Sequence, residues 1–271
     1  MMGEALEVVG EPEVTLTVST DMPDAALSIR LCDVAPDGRS TLITSGVRRL
    51  SRRDGLDRVA EVLPGQRYEI SVRLWPADYL VAVGHRLRLA LALSDFPHIF
   101  PLPYSGRLFL HFGASGARLV VDTIAASARP DGAEPFRAPD LSLTTGQDMP
   151  APVWEVEHDL DDRRVIVHAG SEAQFPLFHQ RTQFHMRHSF DASVTEKKPQ
   201  TAELHCAASA EFTIDRHPMK FTARQSARHD RIEVSVRAEE DGRVVLDKVF
   251  DRPLDWPGVS QLSAAGDKEA T

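Results

Sequence analysis

Cysteine, basic residues and long apolar runs are all scarce in this 271-residue sequence, and each scarcity excludes a class of protein. Two cysteines, Cys32 and Cys206, are too few for a disulfide framework, so we expect both to be reduced thiols. Lys and Arg number 31 against 40 Asp and Glu, and the resulting net charge of -9 disfavours binding to nucleic acid. The sequence has neither an apolar run long enough to span a membrane nor a signal peptide at its start. We therefore expect a cytoplasmic protein with no nucleic-acid or membrane partner.

The motifs of several enzyme classes are also missing. The sequence has no Gly-x-Ser-x-Gly nucleophile elbow, no Gly-x-Gly-x-x-Gly and no Walker-type Gly-Lys-Ser/Thr. The nearest string, Gly113-Ala114-Ser115-Gly116-Ala117, lies between two short strand candidates, and we interpret it as a hairpin turn. The sequence therefore indicates no catalytic, cofactor-binding or metal-ligating residue, and no cofactor.

Strict alternation of apolar and polar residues dominates the first half of the chain. Such alternation marks half-buried strands, whereas apolar residues three and four apart would mark helices. A turn at Ala35-Pro36-Asp37-Gly38 predicts a hairpin, because proline presets φ and glycine supplies a positive φ. The strand candidates are Val14 to Ser19, Leu27 to Cys32, Tyr68 to Leu74, Leu87 to Leu93, Leu108 to Phe112 and Arg118 to Val121. This spacing predicts an all-β fold that begins with an antiparallel β-sandwich over residues 1–123.

The second half of the chain is predicted to be a separate β domain. Residues 124–152 are rich in Pro and Ala and lack alternation, which indicates a linker. Alternation returns at Val153, and charged turns separate the strand candidates, so we predict an antiparallel up-and-down meander over 153–257 with one buried face. Residues 258–271 are predicted to be a flexible tail.

Histidines and arginines raise two competing interpretations. A metal site would draw on His179, His185, His188 and His205, but His185 and His188 are three residues apart and so point to opposite faces of a strand. We favour a hydrogen-bonded core His188 with solvent-facing neighbours over a metal or sensor role. Arg86 and Arg88 lie on the face of their strand that is opposite to Leu87 and Leu89. We favour surface ion pairs for these two arginines over binding of an anionic ligand.

The loops before and after the Leu87 to Leu93 strand candidate combine aromatic residues with proline. They could form a ligand platform at one end of the sandwich, or they could pack against the core or another domain, and we favour packing. His85 follows Gly84 at the start of a strand, where its ring is predicted to bond a loop carbonyl and to pack against Trp75 or Tyr79. The aromatic residues in question are Trp75, Tyr79, Phe96, Phe100 and Tyr104.

Several ordered segments of the first half resemble one known domain. The segments are Leu31 to Ser40, Gly84 to Leu89 and Phe96-Pro97, supported by Val8 to Val14 and Pro64 to Tyr68. Together they resemble the C-terminal jelly-roll domain of the cocaine esterase/NonD and X-prolyl dipeptidyl aminopeptidase hydrolases over about residues 6–123. The second half resembles, more weakly, the β-rich extension of many NonD-type members.

The resemblance implies a function as well as a fold. In that family a preceding α/β-hydrolase domain carries the Ser-Asp-His triad, and the jelly roll packs against it to complete the substrate cleft. Nothing here matches the catalytic domain, so the resemblance implies a non-catalytic C-terminal portion of a serine hydrolase that is inactive alone and has the catalytic domain or chain as its partner. The alternative is a free-standing jelly-roll module that binds carbohydrate or another ligand.

One structural consequence follows from the family's pattern. Its jelly roll begins several dozen residues before the strand that corresponds to Val8 to Val14, so we expect the sandwich to lack the family's first strands. An exposed strand edge is then expected beside Val14 to Ser19 or Leu108 to Phe112, together with self-association into a homo-oligomer.

Overall fold

The computed structural model describes residues 1–113, 116–124, 151–177, 182–214, 216–254 and 256. Within these residues the regular secondary structure is strand apart from one 3-10 turn, and the chain divides into two compact units, whose described parts lie within residues 1–124 and 151–256. The predicted linker at 124–152 and the tail at 258–271 fall almost wholly outside the described residues, so those boundaries stay predictions. No helix among the described residues has the length and apolar character needed to cross a bilayer.

The described residues of the first unit form eight strands and a single 3-10 turn. The turn at Leu50–Arg52 follows the third strand directly. The strands are β1 (Leu6–Thr20), β2 (Ala26–Val34), β3 (Ser40–Arg49), β4 (Tyr68–Arg73), β5 (Ala77–Val81), β6 (Arg86–Ala92), β7 (Leu108–Leu110) and β8 (Arg118–Ile124).

Two antiparallel sheets build the sandwich. In the first, β4 and β5 pair with one edge of β1, and β7 and β8 pair with its other edge. In the second, the order is β3-β2-β6. The predicted alternation places inward side chains of both sheets in one core, where Leu16, Ile29 and Ile70 are at most 2% exposed. The predicted sandwich and the hairpin turn between β2 and β3 are confirmed.

The pairing corrects two details of the sequence interpretation. Val14 to Ser19 is no edge, because β1 is the central strand of its sheet. The segment around Gly113 is no hairpin turn, since β7 and β8 do not pair with each other but lie one after the other along β1, both antiparallel to it. Ala114 and Ser115 themselves lie outside the described residues.

The second unit is a seven-stranded antiparallel sheet in which every strand pairs with its neighbours in sequence, as the predicted meander requires. The order β9 to β15 follows the chain without a crossover. The strands are β9 (Val153–Asp159), β10 (Arg164–Leu177), β11 (Thr182–Thr195), β12 (Lys198–Ile214), β13 (His217–Arg228), β14 (Arg231–Glu240) and β15 (Arg243–Pro253).

The predicted burial of one face of this sheet is only partly correct. Val167 and Ala192 are 3% and 2% exposed, but Trp154 and Phe250 on the same face are 59% and 48% exposed. The described residues of this unit supply a single sheet and no second layer over that face.

Candidate functional site

Two of the segments that carry the family resemblance meet in one buried polar cluster. The Nδ1–H of His85, in the Gly84 to Leu89 segment, donates to Asp33, in the Leu31 to Ser40 segment, with both carboxylate oxygens at 2.9 Å. The hydroxyl of Tyr79 donates to Asp33 Oδ2 over 3.0 Å. Asp33 is only 5% exposed, so these two donors replace the water that a carboxylate would otherwise bind.

The local sequence explains why these residues meet. β2 and β6 pair antiparallel with Asp33 opposite Leu87, which brings the start of β6 to the end of β2. Gly84 has φ +80°, a conformation that places the chain beside Pro36 and turns His85 towards the carboxylate. The backbone N–H of Met2 donates to the His85 carbonyl over 2.7 Å, which fixes the turn from the other side.

This cluster contains an acid and a base but no nucleophile. Burial, and then the bond to Asp33, raise the pKa of the Tyr79 hydroxyl, which therefore stays protonated as a donor. The sequence prediction for His85 was wrong about its partner, which is a carboxylate rather than a loop carbonyl. Trp75, the other predicted neighbour, is 74% exposed. These hydrogen bonds therefore indicate a structural role, in which the Asp33 carboxylate holds β2, β5 and the start of β6 together.

The nearest approach to a nucleophile and base is Ser19 with His111. Ser19 Oγ lies 2.8 Å from His111 Nε2, but Ser19 is 4% exposed. Among the described residues no hydrogen bond joins this histidine to a carboxylate, so the orienting acid of a triad is absent. Ser19 stands at one end of β1, whereas the Asp33 cluster lies at the other end, where Met2 meets His85. At the rise of a strand the two pairs are separated by roughly 40 Å.

A second buried carboxylate, Asp24, was missed by the sequence reasoning. Its side chain is fully buried and accepts from Arg49 at 2.6 and 2.9 Å and from the Ser51 hydroxyl at 2.6 Å. The backbone N–H groups of Ala25 and Ser51 complete its shell. Both carboxylate oxygens have hydrogen-bond donors within the protein. Asp24 is therefore suited to anchoring the 3-10 turn and not to a catalytic role.

The predicted histidine and arginine roles have mixed outcomes. His188 has a serine within hydrogen-bond reach, with Ser171 Oγ 3.3 Å from Nδ1, but its side chain is exposed, so its predicted place in the core is wrong. His185 lies on the opposite face and bonds Glu172 at 2.6 Å, and His179 lies outside the described residues. No group of three or more ligating side chains that could hold a metal occurs in the described part of the chain.

Arg86 and Arg88 contradict the sequence interpretation. Both are exposed on β6, and among the described residues neither makes the predicted ion pair. The nearby pair that does form joins Arg30 of β2 to Asp95. The two arginines are therefore surface cations of the second sandwich sheet.

The aromatic and proline-rich loops mostly pack inward, as favoured. Tyr104 packs against the sandwich core, and Pro101 and Leu102 are buried. Burial, above all, raises the pKa of Tyr104 far above its ordinary value. Trp75 is the exception, because it projects into solvent. These residues form no common aromatic platform.

A stripe of apolar side chains follows the β7 and β8 edge of the sandwich. Phe109 and Phe112 are 46% and 76% exposed, and Val120 and Ile124 are 47% and 40% exposed. Among the described residues, β7 and β8 pair with no strand other than β1, so the stripe borders a free backbone edge. We call these four residues the edge stripe. A free edge beside exposed apolar residues is a common docking surface.

A polar groove of about 410 Å³ lies on one face of the second unit's sheet. The hydroxyls of Ser189, Ser226 and Ser235 line it, together with Arg224 and Glu233. No described partner bonds the side chain of Arg224, which is exposed. The groove can offer hydroxyl and guanidinium donors to a small polar ligand, but it is open and shallow.

Comparison with known proteins finds similarity to the first unit. The family model of the X-Pro dipeptidyl-peptidase C-terminal non-catalytic domain matches residues 2–129. The chain is 28% identical to a cocaine esterase of Rhodococcus sp. over 97 residues, which are 36% of this chain and 17% of that protein. It is 42% identical to an Xaa-Pro dipeptidyl-peptidase of Streptococcus gordonii over 57 residues, 21% of this chain and 8% of that protein.

A crystal structure of a CocE/NonD family hydrolase from Staphylococcus aureus matches with a TM-score of 0.42 and 15% identity, covering 46% of this chain and 29% of that chain. The matched segment spans less than a fifth of the length of each of the two sequence relatives named above. The predicted resemblance to the C-terminal domain of these hydrolases is confirmed for the first unit.

Proposed function

Because residues 2–129 match the C-terminal non-catalytic domain of X-Pro dipeptidyl-peptidases, we propose that this chain completes a serine hydrolase whose catalytic α/β-hydrolase domain is its partner. In this proposal the sandwich packs against the catalytic domain and forms one wall of the substrate cleft. The family match is the observation that carries the proposal. The substrate class expected of the complete enzyme is an ester or an X-Pro peptide, after the named activities of the two sequence relatives.

The edge stripe is the surface that we assign to this partner. It combines two exposed phenylalanines with strands that, among the described residues, pair only with β1. Burying Phe109 and Phe112 against a partner would remove apolar area from water, and aromatic residues commonly dominate such interfaces. We place the complex in the cytoplasm, which the free thiols of Cys32 and Cys206 support.

The test is co-expression of this chain with an α/β-hydrolase catalytic domain of the cocaine esterase type, followed by titration calorimetry of the purified partners. The expected result is a one-to-one complex that Phe112→Ser weakens at least tenfold. Leu56→Ser is the matched control, since Leu56 and Phe112 are both 76% exposed but Leu56 lies in the loop between the 3-10 turn and β4 and is not part of the edge stripe. Absence of a complex would overturn the proposal. Equal weakening by the two variants would show that the edge stripe is not the docking surface.

A free-standing binding module is the second candidate, and the polar groove of the second unit is the observation that favours it. A thermal-shift screen with neutral di- and trisaccharides separates the two. A shift abolished by Arg224→Ala would favour the module, whereas the leading proposal expects no shift with any of these sugars.

A further inference from the structure

The seven-stranded sheet of the second unit has one apolar and one polar face. Successive residues of a strand point to opposite faces, and the registers assign each strand to the same pair of faces. We call the side that carries Trp154, Phe190 and Phe250 the apolar face. Four further phenylalanines pack against one another across neighbouring strands on it, with ring centroids 5.1 to 5.7 Å apart: Phe175, Phe184, Phe212 and Phe221.

Charge is divided between the two faces over the five inner strands, whereas Lys248 and Arg252 of the edge strand β15 lie on the apolar side. Over β10 to β14 the apolar face has no Asp, Glu, Lys or Arg within residues 165–175, 182–194, 204–212, 219–227 and 232–238. The ion pairs of this region, such as His168 with Asp191 and Lys220 with Glu211, lie on the polar face. A solvated face would have no need of this segregation, whereas a packed face requires it.

The apolar face is nevertheless incompletely buried. Phe221 and Phe250 remain 36% and 48% exposed, while inward residues of the sandwich, such as Ile29 and Leu31, are fully buried. A sheet with an apolar face normally gains its stability by packing that face on a second layer. The described residues of this unit provide no such layer.

We propose that a second copy of this chain supplies the missing layer, by packing its own apolar face against this one about a twofold axis. Seven strands spaced about 4.8 Å apart and about ten residues long give a face of roughly 1,000 Å². Two such faces bury roughly 2,000 Å² in total, an area typical of stable homodimers. The result is a β-sandwich in which each copy contributes one sheet.

The distribution of charge on the apolar face is compatible with packing against a second copy of itself. Both copies present the same uncharged centre, so the contact brings no like charges together in its middle. Pairing of edge strands is a different mode, and β9 opposes it, because Glu155, Glu157 and Asp159 would face their counterparts in a second β9. The proposed contact lies on the second unit and is independent of the edge stripe on the first.

Sedimentation velocity of the full chain at tens of micromolar tests the proposal, with variants matched across the two faces of each edge strand. On β15, Phe250→Asp places a charge on the apolar face, and Val249→Asp places one on the polar face, where Val249 is 63% exposed. On β9, Val156→Asp and Val153→Asp form the same kind of pair, at 49% and 46% exposure.

The expected result is a dimer of the wild-type chain that Phe250→Asp and Val156→Asp weaken at least tenfold and that both polar-face variants retain. Far-ultraviolet circular dichroism of each variant checks that the strands still form. A monomeric wild-type chain overturns the proposal. Equal weakening by both members of a pair indicates edge pairing, and a dimer that resists both apolar-face variants places the contact elsewhere; either result overturns the proposal too.

Discussion

The imidazole of His85 shares its Nδ1 proton with both carboxylate oxygens of Asp33, at 2.9 Å each, across 52 residues of chain. Asp33 belongs to β2, and His85 sits in the turn that leads into β6. Tyr79 in the middle of β5 donates to the same carboxylate, so one buried group connects strands from both sheets of the sandwich. The segments that are similar to the hydrolase family are thus used here for architecture.

Removal of the His85 ring should destabilise the sandwich. We expect His85→Ala to lower the free energy of unfolding by about 1–3 kcal/mol, because a buried carboxylate loses its donor. His98→Ala is the control, since that side chain is 66% exposed and lies 3.9 Å from its carboxylate. Urea unfolding followed by tryptophan fluorescence measures both. Equal stability of His85→Ala and the wild type would contradict a structural role.

The Asp24 carboxylate should contribute more than the Asp33 cluster. Asp24→Ala leaves Arg49 and the buried Ser51 hydroxyl without their acceptor, and breaking a buried ion pair typically costs about 3–5 kcal/mol. Asp57→Ala removes a carboxylate that is 78% exposed and should change stability little. Thermal melts of the two variants give the comparison. A loss no larger than that of Asp57→Ala would show that the Asp24 network is dispensable.

His168 in the second unit should have a pKa above that of an ordinary histidine. The hydrogen bond to Asp191 raises the pKa of His168 above its ordinary 6.5, so folding favours the protonated ring. This contribution to stability is present below pH 6.5 and is lost as pH rises through the folded-state pKa. Two-dimensional NMR of the imidazole resonances measures it, and Asp191→Asn should return the pKa towards 6.5. An unchanged titration in that variant would show that Asp191 is not the cause.

No serine of the isolated chain should react with a fluorophosphonate probe. Ser19 is the candidate nearest to a base, but it is buried and its histidine lacks an orienting carboxylate among the described residues. Mass spectrometry of the probe-treated chain should therefore find no adduct, and Ser19→Ala should behave like the wild type. An adduct on Ser19 would contradict the non-catalytic assignment.

Local patterns were enough to predict most strands but not their partners. The alternation of Val14, Leu16 and Val18 identifies β1 because a half-buried strand imposes a period of two. The same residues cannot reveal that β1 is central, since pairing depends on β4, β7 and β8 far along the chain. The predicted hairpin at Gly113 failed for the same reason.

The polar clusters were harder to foresee than the strands. Asp24 and Asp33 look like ordinary loop and strand carboxylates in the sequence, and only the tertiary register brings Arg49 and His85 to them. His188 follows the apolar register and was predicted to lie in the core, but its face has no second layer in the described residues. Periodicity identifies which face is apolar, but it does not say what covers that face.

The central claim is that this chain completes a hydrolase without performing the chemistry, and steady-state hydrolysis of a p-nitrophenyl ester and an X-Pro anilide tests it most directly. Rates are measured for the chain alone, for the α/β-hydrolase catalytic domain alone and for the two mixed. The account predicts no turnover by the chain alone and a higher kcat/KM for the mixture than for the catalytic domain by itself on at least one of these substrates. Turnover by the isolated chain, or a mixture no faster than the catalytic domain, would contradict it.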